Sequence, residues 1–445
     1  MRRSSSCAGA YSQEPPGIEP EGRTVARRAG STRVARPRWA GRTAAWGVLD
    51  QILSASSNAG MTFVAANVLG ARDFGVYALM FTAMTMLIGA SRALTSEAYT
   101  VLMTNADLAT RLSRQGQCLG ASVAIGLVAA IIGGGVGIGV GVAGGVVFAV
   151  ASIGVLAQDA QRYILVTEGR VRAAFANDLV WVTAQFGVLL PLIWWGEPTI
   201  GGLAACWGVG AAVAVGVGTW QLRVSPAIRG ARKWFGDTKG YSAYYAAEFM
   251  AVAGSGYSIV YLVALVVGVE GAGAYRGAQA IFGPVTTLVG GLRMVALPSI
   301  VRMRTQGRSR VVRASVGFAL LLLAASVVVT VMIWGLRGWL APLLLGATAS
   351  AAIPLIIPMG LGRAFSSASG GLAVGFRALG ATKRSLFSRL VIAGLTLGAA
   401  VGGAMLGHAE GAAWGFALGS TVGTLVWAGM LKRQELSLDD RTALK

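Results

Sequence analysis

From Ala44 to Leu431 the sequence is a succession of apolar stretches separated by short polar interruptions. Each stretch approaches the roughly 20 residues that a helix needs to cross a bilayer. Inside lipid every backbone amide must find its partner within its own segment, which leaves the α-helix as the conformation open to such stretches. Twelve spans are predicted. In the first half they run Ala44–Leu69, Gly75–Thr95, Cys118–Ile138, Gly141–Leu165, Asp178–Trp195 and Ile200–Leu222. In the second half they run Tyr241–Val267, Ala274–Ile300, Ala314–Leu336, Pro342–Phe365, Ser385–Leu406 and Gly411–Leu431. The expected fold is an all-α polytopic membrane protein with twelve transmembrane helices. Hydrophobic residues at 55% and charged residues at 13% exclude an ordinary soluble protein.

The charge that remains is lopsided, with 38 Lys and Arg against 18 Asp and Glu and a net charge of +20. A nucleic-acid-binding protein can carry such a balance, but not on a chain made of apolar runs. Basic residues are retained on the cytoplasmic side of a membrane, so their distribution over the loops reports orientation. The N-terminal stretch holds Arg2, Arg3, Arg23, Arg27, Arg28, Arg33, Arg36, Arg38 and Arg42. The loops after the even-numbered spans, taken with the span ends that adjoin them (Arg162, Arg363 and Arg389), supply two, three, five, five and five basic residues, and Lys432, Arg433, Arg441 and Lys445 follow the last span. The opposite loops carry Arg72 and Arg337. Both termini are therefore predicted cytoplasmic, in a multi-pass protein of the cell membrane. Arg2 and Arg3 do not open a signal peptide, because no apolar stretch follows before Ala44.

The expected domains are a disordered basic tail (1–42), an N-terminal six-helix bundle (43–222), a cytoplasmic linker (223–240), a C-terminal six-helix bundle (241–431) and a short tail (432–445). Cys7, Cys118 and Cys206 are too scattered for a disulfide framework or a metal site, and His408 is the only histidine. No cofactor, metal or His-based catalysis is expected. The run Gly139-Val140-Gly141-Val142-Ala143-Gly144 matches a dinucleotide-binding pattern. That pattern works only between a strand and a helix, whereas this run joins two apolar spans.

The two halves repeat each other. Gly70, Gly75 and Tyr77 recur at one constant offset as Gly268, Gly273 and Tyr275, and the same offset places Asp50 on Glu248. A slightly longer offset relates Arg170, Gly187, Trp207 and Gly208 to Arg377, Gly394, Trp414 and Gly415. Six spans separate the copies, so both halves share one orientation, as in transporters whose two bundles rock about a midplane cavity.

Four stretches carry a family resemblance. They are Leu69-Gly70-Ala71-Arg72-Asp73-Phe74-Gly75-Val76-Tyr77-Ala78, Gly273-Ala274-Tyr275-Arg276-Gly277-Ala278-Gln279, Glu168-Gly169-Arg170 through Asp178-Leu179-Val180-Trp181, and Gly411-Ala412-Ala413-Trp414-Gly415. At these stretches the chain resembles the polysaccharide-biosynthesis, O-antigen-type flippases of the multidrug/oligosaccharidyl-lipid/polysaccharide (MOP) exporter superfamily. The resemblance implies a MATE-like, V-shaped pair of six-helix lobes. It also implies a lipid-linked glycan as substrate, carried on a polyprenyl diphosphate, and glycan polymerases or glycosyltransferases as partners beside the membrane lipids.

With Arg162, Arg363 and Arg389 counted with the loops they adjoin, Arg92, Arg276 and Arg293 are the basic residues left inside spans. An arginine at a helix centre costs about 2.5 to 3.5 kcal/mol on insertion scales, so it faces a cavity or a partner. Three guanidinium groups around one cavity would suit a diphosphate. The plainer alternatives are that Arg92 pairs with Glu97 and that Arg276, close to Glu270, snorkels to the surface. Asp50 and Glu248 are candidates for ion coupling, or else neutralise basic residues at the inner surface. Gln51, Asn58 and Asn67 are candidate polar groups for sugar hydroxyls or for interhelical hydrogen bonds. Asp159 and Arg162 have the spacing of an intrahelical pair. Pro191, Pro284, Pro354 and Pro358 are expected to bend spans 5, 8 and 10. The leading functional expectation is a flippase working by alternating access. A multidrug or small-solute antiporter on the same scaffold is the alternative. A membrane polymerase or ligase would need catalytic groups on outer loops that are short.

Overall fold

The computed structural model describes residues 38–103, 106–139, 142–196, 198–379 and 382–442. The expected basic tail up to residue 37 lies outside them. The described chain forms twelve helical runs and no strand. We number them α1 (Arg38–Val68), α2 (Ala71–Met103), α3 (Leu108–Gly139), α4 (Ala143–Thr167), α5 (Val171–Trp195) and α6 (Ile200–Leu222), followed by α7 (residues 231–267), α8 (residues 269–302), α9 (Arg308–Gly335) and α10 (Arg337–Ala378). The last two, α11 and α12, are the arms of Thr382–Thr442 on either side of Gly407 and His408, whose backbone leaves the helical region.

Among the described residues eight helical segments are long and apolar enough to cross a membrane, the last of which, Phe387–Arg433, contains most of both α11 and α12. The runs α1, α7 and α8 fall outside those eight. They are also the runs that bring Asn58, Tyr257, Arg276 and Arg293 to the main cavity. Polarity is distributed as a lipid solvent requires. Leu406 is 92% exposed and Trp194 82%, while Asp50 is 2% and Asn177 0% exposed. In water an outer surface of this kind would drive association; in lipid it is matched.

The helix breaks follow local chemistry. Within α7 a π-helical turn, Met250–Gly254, joins Ala231–Phe249 to Ser255–Val267. In α8 the first helix stops at Phe282, and Pro284 sits in the first turn of Gly283–Arg302, where its missing N–H costs nothing. Pro354 likewise opens a short 3-10 turn, and Pro358 falls in the first turn of Ile356–Ala378. Pro191 stays inside α5, with no break in the helix.

The N-terminal half packs around stacked aromatic rings, with Phe81 5.2 Å from Trp207 and Tyr77 5.6 Å from Phe148. The halves meet where the repeat placed its glycines. A Cβ added to Gly273 would lie 2.9 Å from the Gly75 Cα, so α2 and α8 cross backbone to backbone at that point. Beside this crossing the Asn67 amide donates to the carbonyls of Leu343 and Leu344 at 3.2 and 3.1 Å. The Tyr261 hydroxyl donates to the Leu79 carbonyl at 2.8 Å. The expected linker is not a free loop: Trp234 is fully buried among Tyr99, Cys118 and Leu222, and its indole N–H donates to the Leu94 carbonyl at 3.2 Å.

Candidate functional site

Two polar sites lie inside the helices, one in each half. The first is a cluster of charges from α1, α2, α4 and α5 around a small cavity of about 60 Å³. Arg162 donates through Nε to Asp50 at 3.0 Å and lies 3.1 Å from Asp178. Arg92 is held by both Asp159 oxygens, at 2.8 and 3.0 Å from its Nε. Gln158 donates to Asp178 and to Asn177, each at 2.8 Å. Burial of so many charges is tolerable only because each is paired and hydrogen-bonded. Three carboxylates nevertheless face two arginines, and one Asp50 oxygen has no hydrogen-bond partner.

The second site is a cavity of about 870 Å³ enclosed mainly by α1, α7, α8, α10, α11 and α12. Arg276, Arg293, Arg363, Arg377 and Arg389 line it, and no Asp or Glu does so among the described residues. The Nε atoms of Arg276, Arg293 and Arg363 are buried without a hydrogen-bond partner. The guanidinium groups rest instead on aromatic faces: Arg276 is 5.5 Å from the Phe81 ring, Arg363 5.8 Å from Phe416 and Arg389 5.9 Å from Trp427. Such stacking leaves the edge donors directed elsewhere. Arg293 lies flat against Gly370, the one place on α10 where a Cβ would collide with it, and reaches the Ser367 carbonyl at 3.4 Å. Asn58, Thr62, Thr287 and Ser369 add hydroxyl and amide groups to the wall.

The five arginines fall into two groups. Arg276 and Arg363 interact with each other's charge and share Tyr257 as a neighbour. Arg293, Arg377 and Arg389 form the other set of mutual neighbours, with Glu248 3.9 Å from Arg377 at the half-exposed rim. Arg363 and Arg377 stand on the same helix, fourteen residues apart, which is about 21 Å along its axis. The Gly75–Gly273 crossing lies three residues before Arg276 on α8, toward one end of the cavity, and Arg377, whose side chain is 52% exposed, marks the other.

Of the candidates from sequence, Arg276, Arg293 and Asn58 line this cavity. Arg92 belongs to the N-terminal cluster, and its partner is Asp159 rather than Glu97. Arg162 bridges to Asp50 and Asp178 on other helices, not to Asp159 on its own. Arg276 is turned inward onto Phe81, away from Glu270 and the surface. Gln51 is exposed, and Asn67 ties the halves together at their crossing, so neither lines the cavity. Glu248 sits beside Arg377. The repeat is visible here too: Asp50 on α1 meets an arginine of α4, and its counterpart Glu248 on α7 meets one of α10, the fourth run of each half. Arg363, Arg377 and Arg389 escaped the reading by sequence because they were counted with the basic loop after the tenth span.

No family model and no curated protein sequence matches the chain. An inward-facing multidrug resistance MATE family transporter of the MOP superfamily aligns in space with a TM-score of 0.69, over 89% of this chain and 96% of that one, at 13% identity. The lipid II flippase MurJ, in its inward closed conformation, gives 0.67 over 88% and 87% at 11% identity. The chain has the fold of the MOP-superfamily transporters. A third MOP transporter, from Pyrococcus furiosus and described by the reverse polarity of its binding pocket, gives 0.60 over 90% and 96% at 12% identity. The helical runs of this multi-pass chain are thus arranged as in those transporters, and the arginine cavity is lined mostly by runs of the second half, with α1 and α2 closing it.

Proposed function

We propose that the chain is a flippase that moves a lipid-linked oligosaccharide or polysaccharide precursor across the membrane by alternating access. The observation that carries this reading is the cavity of five arginines, three of which hold a buried, unpartnered Nε donor, lined by no Asp or Glu among the described residues and met by one acid, Glu248, beside Arg377. A buried guanidinium N–H without a partner is costly in a membrane interior, and an anionic head group would satisfy it. The same field opposes cationic drugs, which separates this cavity from an exporter of organic cations. Solved relatives of the fold include both a multidrug transporter and a lipid II flippase. The wall chemistry favours the second kind of cargo, whose diphosphate matches the donors.

In this reading the halves close at the Gly75–Gly273 crossing while the basic, cytoplasmic side admits the head group between them. Rocking of one half against the other then exposes the cavity to the opposite leaflet. Asp50 is the candidate for ion coupling, because its cluster holds one more carboxylate than arginines. Glu248 serves as a partial counter-charge at the rim. A rate of transport unchanged in Asp50→Asn would leave that cluster a purely structural role.

The test is a cell whose surface glycan depends on this protein. Arg293→Ala should insert normally and abolish surface glycan while lipid-linked precursor accumulates, because the central donor of the cavity is lost. Normal surface glycan in that cell would remove Arg293 from the path.

A further inference from the structure

The cavity holds more positive charge than a diphosphate can balance, and the surplus is in one place. Arg377 and Arg389 toward the rim, with Arg293 beside Gly370 midway along α10, stand against the single acid Glu248, leaving two net positive charges. A diphosphate joined to lipid at one end and sugar at the other carries about two negative charges, which this rim set neutralises. A lipid-linked diphosphate must also stay near the level of its leaflet, and Arg377, in the last turn of α10, is at that end of the cavity. Of the inner pair, Arg276 and Arg363, the latter is about 21 Å from Arg377 along α10 by helix rise, and no Asp or Glu lines the cavity beside them among the described residues. Both Nε atoms of the pair are buried without partners. Hydroxyl-bearing residues such as Thr62 and Thr287 line the space as well.

We infer that the cavity has two anion stations, and that the substrate is an acidic glycan whose diphosphate sits at Arg293, Arg377 and Arg389 while a carboxylate-bearing sugar reaches Arg276 and Arg363. This rests on the flippase reading and narrows it: a neutral glycan would leave the inner pair uncompensated in a membrane interior, at the cost that buried charge carries. Bidentate guanidinium-carboxylate contacts would be formed there without removing either guanidinium from its aromatic support.

The experiment uses the purified full chain in lipid nanodiscs, with inorganic pyrophosphate and digalacturonate as probes and neutral digalactose as control, followed by calorimetry. Both anions are expected to bind together, digalacturonate keeping its affinity at saturating pyrophosphate, with digalactose much weaker. The double variant Arg276→Gln/Arg363→Gln should lose at least about tenfold in digalacturonate affinity, equivalent to 1.4 kcal/mol, and keep pyrophosphate. Arg377→Gln/Arg389→Gln should do the reverse. Retention of one probe by each variant shows that it is folded. Displacement of digalacturonate by pyrophosphate, or equal binding of digalactose, would overturn the two-station claim and leave the flippase reading standing. Absence of any pyrophosphate binding to the unmodified chain would bring down both.

Discussion

Arg162→Met is expected to destabilise the protein by about 3 to 5 kcal/mol, the cost of leaving a buried ion pair half made. The side chain is 7% exposed and lies between Asp50 and Asp178, themselves 3% and 8% exposed, so its removal strands two carboxylates inside the helices. Methionine fills much of the same volume, which makes the lost charge rather than a void the source of the effect. A loss of that size is a large share of the 5 to 15 kcal/mol typical of folded domains. Neutralising the stranded acids as well, in Arg162→Met with Asp50→Asn and Asp178→Asn, should recover most of the loss, because amides cost far less to bury. Thermal unfolding in detergent distinguishes the two: a single variant as stable as the original, or a triple variant no better than the single, would show that the cluster is not a closed charge network.

Gly273→Leu is expected to give the largest functional effect outside the cavity. A Cβ there meets the Gly75 backbone at 2.9 and 3.2 Å, and neither chain segment can yield without parting α2 from α8. Overpacking of this kind costs about 1 to 3 kcal/mol, and here it acts only on the state in which the halves touch. Every 1.4 kcal/mol shifts the population of the closed state about tenfold. The variant should insert, lose transport, and expose Asn58→Cys in the cavity to an impermeant maleimide from both sides of the membrane. In the original background the same cysteine should react from the basic side alone. Labelling from one side in both backgrounds would show that the crossing is not the barrier.

Much of this was legible beforehand for physical reasons. Apolar runs of bilayer length have only one backbone solution, so the all-helical fold emerged from hydropathy, and the glycines at 75 and 273 were marked by a repeat because backbone contact tolerates nothing larger. Arg276 and Arg293 stood out as charge without a loop to explain it. Arg363, Arg377 and Arg389 did not, because they lie near span ends, where basic residues ordinarily report topology. The predicted spans stopped at Phe365 and resumed at Ser385, whereas the helices run to Ala378 and restart by Thr382. The small-residue run Ser366-Ser367-Ala368-Ser369-Gly370-Gly371 between Arg363 and Arg377 was the available signal of an inner polar face. Pairing was the other blind spot. Spacing along one helix suggested Asp159 with Arg162 and Arg92 with Glu97, but the partners came from other helices, whose rotation about their axes hydropathy does not report.

Reconstitution tests the central claim most directly. Proteoliposomes holding the full chain and a fluorescent polyprenyl-diphosphate oligosaccharide in one leaflet should show transfer of the sugar to the other leaflet, read by an impermeant quencher. Transfer should be lost in Arg293→Ala and absent for a cationic lipid of similar size. Equal transfer of the cationic lipid, or full transfer by Arg293→Ala, would contradict a flippase built around an arginine cavity.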